Sequence, residues 1–288
     1  MIKLLVSDLD GTFLMKKPVD GKSVSQENYD AMQRFRAAGG TFVTASGRHH
    51  EYSYSLMDEL GFKFDMIGTN GATIIHNDSL VEHNNPSRQI VRKVVEELTK
   101  PQYRDELDVV GVNLEFTYLL GNPHSQARKT FDHLKEIGTI GGVSDISLLD
   151  WLNDRKKPDI TSLSVFIYDA RKLNAWIDYL REKFDRYFDI YASGPDYIEL
   201  MSPGINKGHG VRSIREIYGL EEHEVAVVGD NQNDISMFFA TKNSYCMDTA
   251  TPQVQKYAKT IVHSVAEAID DIMRLNEAEA LSKENLFK

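Results

Sequence analysis

Short apolar runs, each closed by glycine or a polar cluster, alternate along this chain with longer segments of helical period, and that alternation predicts an α/β fold built on a parallel sheet. Leu4-Leu5-Val6 reads as a buried first strand. Ser23 or Ser25 can cap a helix through about Ala38, with Ala31, Phe35 and Ala38 as its apolar positions and Gly39-Gly40 ending it. Residues 41–45 predict a second strand, Ser46-Gly47-Arg48 leads into a helix that ends before Gly61, and 65–67 predict a third strand before Gly68-Thr69-Asn70-Gly71. This β-α-β-α-β order implies right-handed crossovers. From about residue 83 the rhythm changes. Helix-like 90–98, strand-like 109–118, helix-like 127–137, strand-like 160–168, helix-like 173–184 and strand-like 188–191 predict an inserted α+β module, closed by a strand over 196–201. The first rhythm then resumes with a helix over about 207–218, a strand over 225–228, a helix from about Asp234 and an amphipathic helix from about Val265. The polar stretch 276–288 alternates charge and predicts a fraying helix or a disordered tail.

Composition narrows the classes. A chain of 288 residues leaves open one large domain or two smaller ones. Its net charge of -10 argues against a general binder of nucleic acid or anionic membranes, although one local site can still be cationic. Cys246 is the single cysteine, which excludes an intrachain disulfide framework, suits the reducing cytoplasm, and reads as a buried filler. No run of eighteen apolar residues and no signal-peptide pattern is present, so a soluble cytoplasmic protein is expected, with no obligate protein partner evident.

Polar residues cluster where the predicted strands end. Asp8-Leu9-Asp10-Gly11-Thr12 follows the first strand, at the carboxyl end where open α/β sheets bind ligands. Residues two apart on a strand share a face, so Asp8 and Asp10 can converge, one as nucleophile and one as proton carrier; an Asx-type turn is the structural alternative. Gly229-Asp230-Asn231-Gln232-Asn233-Asp234 follows the strand at 225–228, and there Asp234 could merely cap the next helix. Several carboxylates buried together require a cation, and an all-oxygen set favours Mg2+. Ser46-Gly47-Arg48 offers a hydroxyl, backbone N–H groups and a guanidinium that suit an anion, or a plain N-cap serine. Lys207 stands at a helix start against the dipole, which argues for a task, although most lysines are solvated surface groups.

Carboxylates, a hydroxyl, a lysine and a metal cluster together describe phosphoryl transfer through an aspartyl-phosphate. In this the chain resembles the haloacid dehalogenase superfamily, whose four motifs stand in order as Asp8-Leu9-Asp10-Gly11-Thr12, Ser46-Gly47-Arg48, Lys207 and Gly229-Asp230-Asn231-Gln232-Asn233-Asp234. The long insert, with Asn70-Gly71-Ala72 and Gly204-Ile205-Asn206-Lys207-Gly208, is similar to the Cof-like sugar phosphatases with a type IIB cap. The resemblance implies a Rossmann-like hydrolase core over 1–82 and 203–288 and an α+β cap over 83–202 that closes over the core and sets specificity. It implies Mg2+-dependent hydrolysis of a small phosphorylated metabolite, foremost a sugar phosphate. Asp8 would be the nucleophile and Asp10 the general acid/base. Metal would be held by Asp8, the Asp10 backbone carbonyl and Asp230, with Asp234 either a ligand or an orienting residue. Ser46 and Lys207 would contact the phosphoryl oxygens, helped by backbone N–H groups near Leu9 and Gly47 and by Asn233.

Two departures accompany the likeness: Ser46 stands where the family more often has threonine, and Met247-Asp248-Thr249-Ala250 lacks the glycine-asparagine pair common there. Arg48, Asn70, Asn113 and Glu115 are conceivable substrate contacts, with ordinary surface polarity the competing reading in the cap. On a helix His49 and His50 would point about 100° apart and make a poor shared metal site. Trp151 and Trp176 read as packing residues, and Asp154-Arg155-Lys156-Lys157 as a solvated loop. A phosphomannomutase-like mutase and a non-catalytic metabolite-binding protein remain as alternatives on the same fold.

Overall fold

The structure, a computed structural model, describes residues 1–136, 138 and 140–286. It opens with β1 (Leu4–Asp8) and a hairpin of β2 (Leu14–Val19) and β3 (Lys22–Val24). Ser25, rather than Ser23, caps α1 (Gln26–Ala37), its Oγ accepting from the Asn28 N–H at 3.2 Å. There follow β4 (Thr41–Ala45), α2 (Glu51–Leu60), β5 (Asp65–Gly68), β6 (Thr73–His76) and β7 (Ser79–His83). The insert runs α3 (Arg88–Leu98), β8 (Leu107–Asn113), β9 (Thr117–Leu120), α4 (Gln126–Glu136), β10 (Gly142–Val143), α5 (Leu148–Asn153), β11 (Ile160–Ile167), α6 (Leu173–Phe184), β12 (Asp189–Ala192) and β13 (Tyr197–Met201). The chain ends with α7 (Lys207–Ile217), β14 (Val225–Gly229), α8 (Ile235–Phe238), β15 (Asn243–Met247), α9 (Pro252–Gln255), β16 (Thr260–Val262) and α10 (Val265–Leu286).

Two compact units result, one of Met1–Val81 with the chain from Asn206 on, the other of Glu82–Ile205. The first holds a sheet of order β16-β15-β14-β1-β4-β5-β6-β7, parallel from β16 to β5 and antiparallel at β5–β6. Side chains alternate across it. Leu5, Phe42, Met66 and Ala226 pack on one face with Met32 and Phe35 of α1, Leu56 of α2 and Ile269 of α10. Leu4, Val6, Val43, Ile67 and Val227 pack on the other with Val211 and Ile214 of α7 and Met237 of α8. Both faces of the central strands are therefore buried, which is why residues 4–6 of β1 and 225–228 of β14 read as unbroken apolar runs. Cys246 lies in the second layer, where burial pushes its thiol up to about 12, as befits an inert filler.

The second unit is a six-stranded sheet of order β10-β9-β8-β11-β13-β12. One face packs on α3, α5 and α6 through Val91, Leu148, Trp176 and Leu180. Arg88 secures α5 by donating to the Trp151, Leu152 and Asp154 carbonyls. Asp154, Arg155 and Lys156 are exposed, as a solvated loop requires. Both tryptophans pack: Trp151 donates from Nε1 to the Pro158 carbonyl, and Trp176 stacks edge-on with Tyr103.

Several elements differ from the sequence expectation. The single strand over 109–118 is instead the β8–β9 hairpin, turned at Phe116 with φ +58 and no Asn-Gly signal. The predicted helix over 127–137 is α4, and Ile137 lies outside the described residues. Of the two forms expected from 276 on, a fraying helix or a disordered tail, the structure shows helix, the continuation of α10 to Leu286, with 287–288 outside the described residues. Asn276 anchors it, accepting from the Ile2 N–H at 2.6 Å and donating to the Ile2 carbonyl at 2.8 Å. Among the described residues no helix is long and apolar enough to cross a membrane.

Asp108 ties β8 to the Asn122–Ser125 turn, accepting from the Asn122 N–H and the Ser125 hydroxyl. Burial raises its carboxyl to about 6. Between about pH 4 and 6 the folded state then keeps a proton that the unfolded chain releases, so this group lowers stability as pH rises, by on the order of 3 kcal/mol. Asp108→Asn should remove that slope, making urea midpoints between pH 4 and 6 flatter than in the parent protein. Parallel pH profiles for the two proteins would place the titration elsewhere.

Candidate active site

The neighbouring strands β14, β1, β4 and β5 all end on the same edge of the sheet, and every predicted core site residue except Lys207, Asn233 and Asp234 sits within a few residues of those ends. Asp8 closes β1 opposite Ala45, Ser46 follows β4, the Thr69–Gly71 turn follows β5, and Asp230 follows β14. Lys207 is the first residue of α7, on the crossover entering β14. Asn206 caps that helix, accepting from the His209 N–H at 3.0 Å.

Lys207 joins the two halves of the chain. Its Nζ donates to Asp8 Oδ1 and to Asp234 Oδ1, each at 2.6 Å, and the three side chains are 1%, 6% and 0% exposed. Asp234 Oδ2 accepts from the Asp230 and Asn231 N–H groups at 2.9 Å each, so its two oxygens serve the ammonium and the loop. Asp230 in turn accepts from the Thr12 hydroxyl at 3.0 Å. Carboxylate oxygens of Asp8, Asp230 and Asp234 lie within 4.8 Å of one another.

Three carboxylates beside one ammonium leave two negative charges to be balanced. Burial raises the Asp8 carboxyl well above the usual range, Asp234 adds to the rise, and Lys207 only partly opposes it. Burial also works to lower the Lys207 ammonium, yet Asp234 and Asp8 outweigh it and raise it. Burial first, then Asp234, lifts Asp230 as well. A hard divalent cation would supply the missing charge, and an all-oxygen donor set fits one.

Two glycines make this packing possible. Gly11 has φ +85, and a Cβ there would lie 2.5 Å from Asp230 Oδ2. A Cβ on Gly208 would lie 2.1 Å from the Ser236 carbonyl oxygen, so only glycine lets the first turn of α7 press against the Asp234–Ser236 segment that Lys207 must reach.

Ser46 is buried and does not cap α2, which begins at Glu51; its Oγ accepts from the Arg48 N–H at 3.0 Å. The Ser46 carbonyl accepts from the Asn70 N–H at 2.9 Å. Asn70, in the left-handed region at φ 52, accepts from Asn233 Nδ2 at 3.1 Å, and Asn233 Oδ1 is buried without a partner among the described residues. Leu9 buries its side chain in the core and offers the site only backbone, as does Gly47.

Not every predicted residue joins the cluster. The Asp10 carboxylate is not part of the cluster formed by Asp8, Asp230 and Asp234: β1 ends at Asp8, so the shared-face rule stops short of Asp10. The Asp10 side chain is 53% exposed and pairs with Arg48, whose Nε and a terminal nitrogen reach its two oxygens at 2.6 Å each. Asn113 is fully buried and accepts from the Thr117 N–H, holding the β8–β9 turn, while Glu115 is exposed. His49 and His50 do not diverge; their rings stack 4.1 Å apart because His49 precedes the helix and does not follow its path. Neither belongs to the acidic cluster. The sequence reading missed Thr12 as a partner of Asp230 and Arg48 as a partner of Asp10, since no local pattern links residues 218 and 38 positions apart.

The chain is similar to known proteins over nearly its whole length. The family model described as haloacid dehalogenase-like hydrolase matches residues 5–272. The 5-amino-6-(5-phospho-D-ribitylamino)uracil phosphatase YbjI of Escherichia coli (strain K12) is 26% identical over 286 residues, covering 95% of this chain and 97% of that protein. A phosphoglycolate phosphatase of Thermoplasma acidophilum is 23% identical over 95% of this chain and 98% of its own. The solved structure of a haloacid dehalogenase-like hydrolase from B. subtilis shares the fold with a TM-score of 0.77 at 22% identity, over 93% of this chain and 99% of that one.

Lys207→Met would leave Asp8 and Asp234 buried without their ammonium, and should lower folding stability by about 3–5 kcal/mol. Urea unfolding of the two proteins measures this. A loss below about 1 kcal/mol would mean that the pair carries little of the buried charge balance.

Proposed function

Since this chain belongs to the haloacid dehalogenase-like hydrolases and hydrolyses phosphate monoesters, we propose that it does so through an aspartyl-phosphate on Asp8, with Mg2+ and with small sugar or polyol phosphates as substrates. The observation that carries this reading is the Lys207 ammonium shared by Asp8 and Asp234 beside Asp230. Lys207 fixes Asp8 Oδ1, and we assign Oδ2 as the oxygen that bonds to phosphorus while the leaving alkoxide departs on the opposite side. Asp10 protonates that alkoxide, then takes a proton from the water that cleaves the acyl-phosphate. The Ser46 hydroxyl, Lys207, the backbone N–H groups near Leu9 and Gly47, and Asn233 receive the charge that spreads over the phosphoryl oxygens.

Asp8, Asp230 and the Asp10 backbone carbonyl are the residues we assign to the metal. Mg2+ bound there would screen the repulsion between carboxylate and phosphoryl oxygens. Asp234, with both oxygens in use, shapes the Asp230 loop from behind and does not bind metal directly. We further assign the unit Glu82–Ile205 to leaving-group recognition as a cap, with Arg48 and Asn70 as core residues facing substrate. The E. coli relative's name carries a 5-phospho-D-ribityl group, a phosphorylated polyol, which supports this substrate class. The Thermoplasma relative is named for a different ester, so the alcohol has to be identified by assay. A single buried thiol and a need for Mg2+ suit the cytoplasm, where we place the protein.

Asp8→Asn should reduce turnover by at least about 10³-fold while urea unfolding shows an intact fold. Substantial residual phosphate release would sink the nucleophile assignment. A chelator should abolish activity and added Mg2+ restore it across a panel of sugar and polyol phosphates. Isomerised sugar phosphate in place of inorganic phosphate would reveal the mutase alternative.

A further inference from the structure

Asp10 and Arg48 form a closed pair. Arg48 Nε donates to Asp10 Oδ2 and a terminal Arg48 nitrogen donates to Oδ1, both at 2.6 Å, and the guanidinium carbon lies 3.9 Å from the centre of the Tyr52 ring. A carboxylate that accepts on both oxygens has each of them occupied by its partner, and neither is open to a substrate oxygen. Contact between the Asp10 carboxyl and a substrate oxygen therefore requires this pair to open. Arg48 also belongs to the loop that presents Ser46: its N–H donates to Ser46 Oγ at 3.0 Å and its carbonyl accepts from the Thr69 N–H at 2.8 Å. A planar cation thus stands beside the hydroxyl assigned to phosphate, engaged with a carboxylate of its own chain.

The pair can exchange. The side chains of Arg48 and Asp10 are 30% and 53% exposed, and ion pairs of that exposure are weak. A phosphoryl dianion offers the guanidinium the same two-pronged geometry with more charge. Tyr52 supports the guanidinium face through either partner.

We propose that Arg48 is a substrate-exchanged latch, holding Asp10 in the free enzyme and transferring its guanidinium to the incoming phosphoryl group, which releases Asp10 for proton transfer. Arg48 is then a positioning residue for Asp10 as well as a phosphate ligand. The second half of this statement rests on the acid/base assignment of Asp10 made above, whereas the exchange itself is a binding event.

Competition of this kind has a thermodynamic signature, because phosphate binds only the fraction of enzyme in which the guanidinium is available. Calorimetric titration of inorganic phosphate in MgCl2 into the parent protein, Asp10→Asn, Arg48→Gln and the double variant reads it directly. Asp10→Asn should bind phosphate about 3–10-fold more tightly than the parent, and Arg48→Gln about 10-fold more weakly. In the Arg48→Gln background the gain from Asp10→Asn should shrink below about 2-fold. An equal gain with and without Arg48 would show simple charge repulsion by Asp10 and overturn the latch, as would an unchanged affinity in Arg48→Gln or no phosphate binding by Asp10→Asn. Arg48→Lys, which keeps the charge but not the fork, should recover only part of the affinity and serves if the glutamine variant does not fold. Turnover of glucose 6-phosphate by Asp10→Asn tests the acid/base role separately: undiminished activity would refute that role and leave the binding cycle standing.

Discussion

The Lys207 ammonium, shared at 2.6 Å between Asp8 and Asp234, is the contact on which the rest of the site depends. Buried carboxylates are unfavourable unless each has a partner, and here one lysine serves two of them. That requirement explains local choices far apart in sequence. Asn206 starts α7 with Lys207 in its first turn, and Gly208 lets that turn approach Ser236 closely enough for the ammonium to reach Asp234. Asp234 passes the constraint on, because its second oxygen gathers the Asp230 and Asn231 amides and so fixes the loop that presents Asp230. Gly11 then leaves room for Asp230 against the first turn, where Thr12 completes its hydrogen bonding.

The sheet supplies the rigidity that such a network needs. On β1, Leu5 faces one helical layer while Leu4 and Val6 face the other, so the strand cannot slip by one residue without exposing its whole apolar set. Asp8 inherits that fixed register as the last residue of the strand. The same holds for β4 and β14, whose ends deliver Ser46 and Asp230. Polar chemistry sits at the ends of the strands because the interior of a doubly covered parallel sheet has no place for it.

This division decides how much can be read from sequence. The apolar runs at residues 4–6 and 225–228 end abruptly in polar clusters, so Asp8 and Asp230 stand out without any partner being known, as do Ser46 just after β4 and Lys207 at a helix start against the dipole. Elements with mixed composition do not. The strand Asn243–Met247 contains Asn, Ser, Tyr and Cys, and the hairpin of Leu14–Val19 and Lys22–Val24 is mostly exposed, so neither shows a clean period. The β8–β9 turn places Phe116 at positive φ, where no turn residue announces it. Asn276 looked like part of a polar tail because its partner, Ile2, is 274 residues away. Asp10 and Arg48 were each visible in their motifs, yet their pairing follows from the strand ending at Asp8 and was not legible locally.

Asp8 and Asp10 are two residues apart, yet the fold gives them opposite surroundings, and the contrast supports separate roles. Asp8 is 6% exposed and shares the Lys207 ammonium, surroundings that suit the nucleophile role proposed for it, held in one place and stripped of water. Asp10 is 53% exposed and pairs with the Arg48 guanidinium near solvent, surroundings that suit the acid/base role proposed for it. Under the proposed roles, exchanging these environments would disable both: a buried acid/base would have no route for its proton, and a solvated nucleophile would be neither oriented nor activated. The point where β1 stops, between Leu9 packed in the core and Gly11 turning at φ +85, is what keeps the two environments apart.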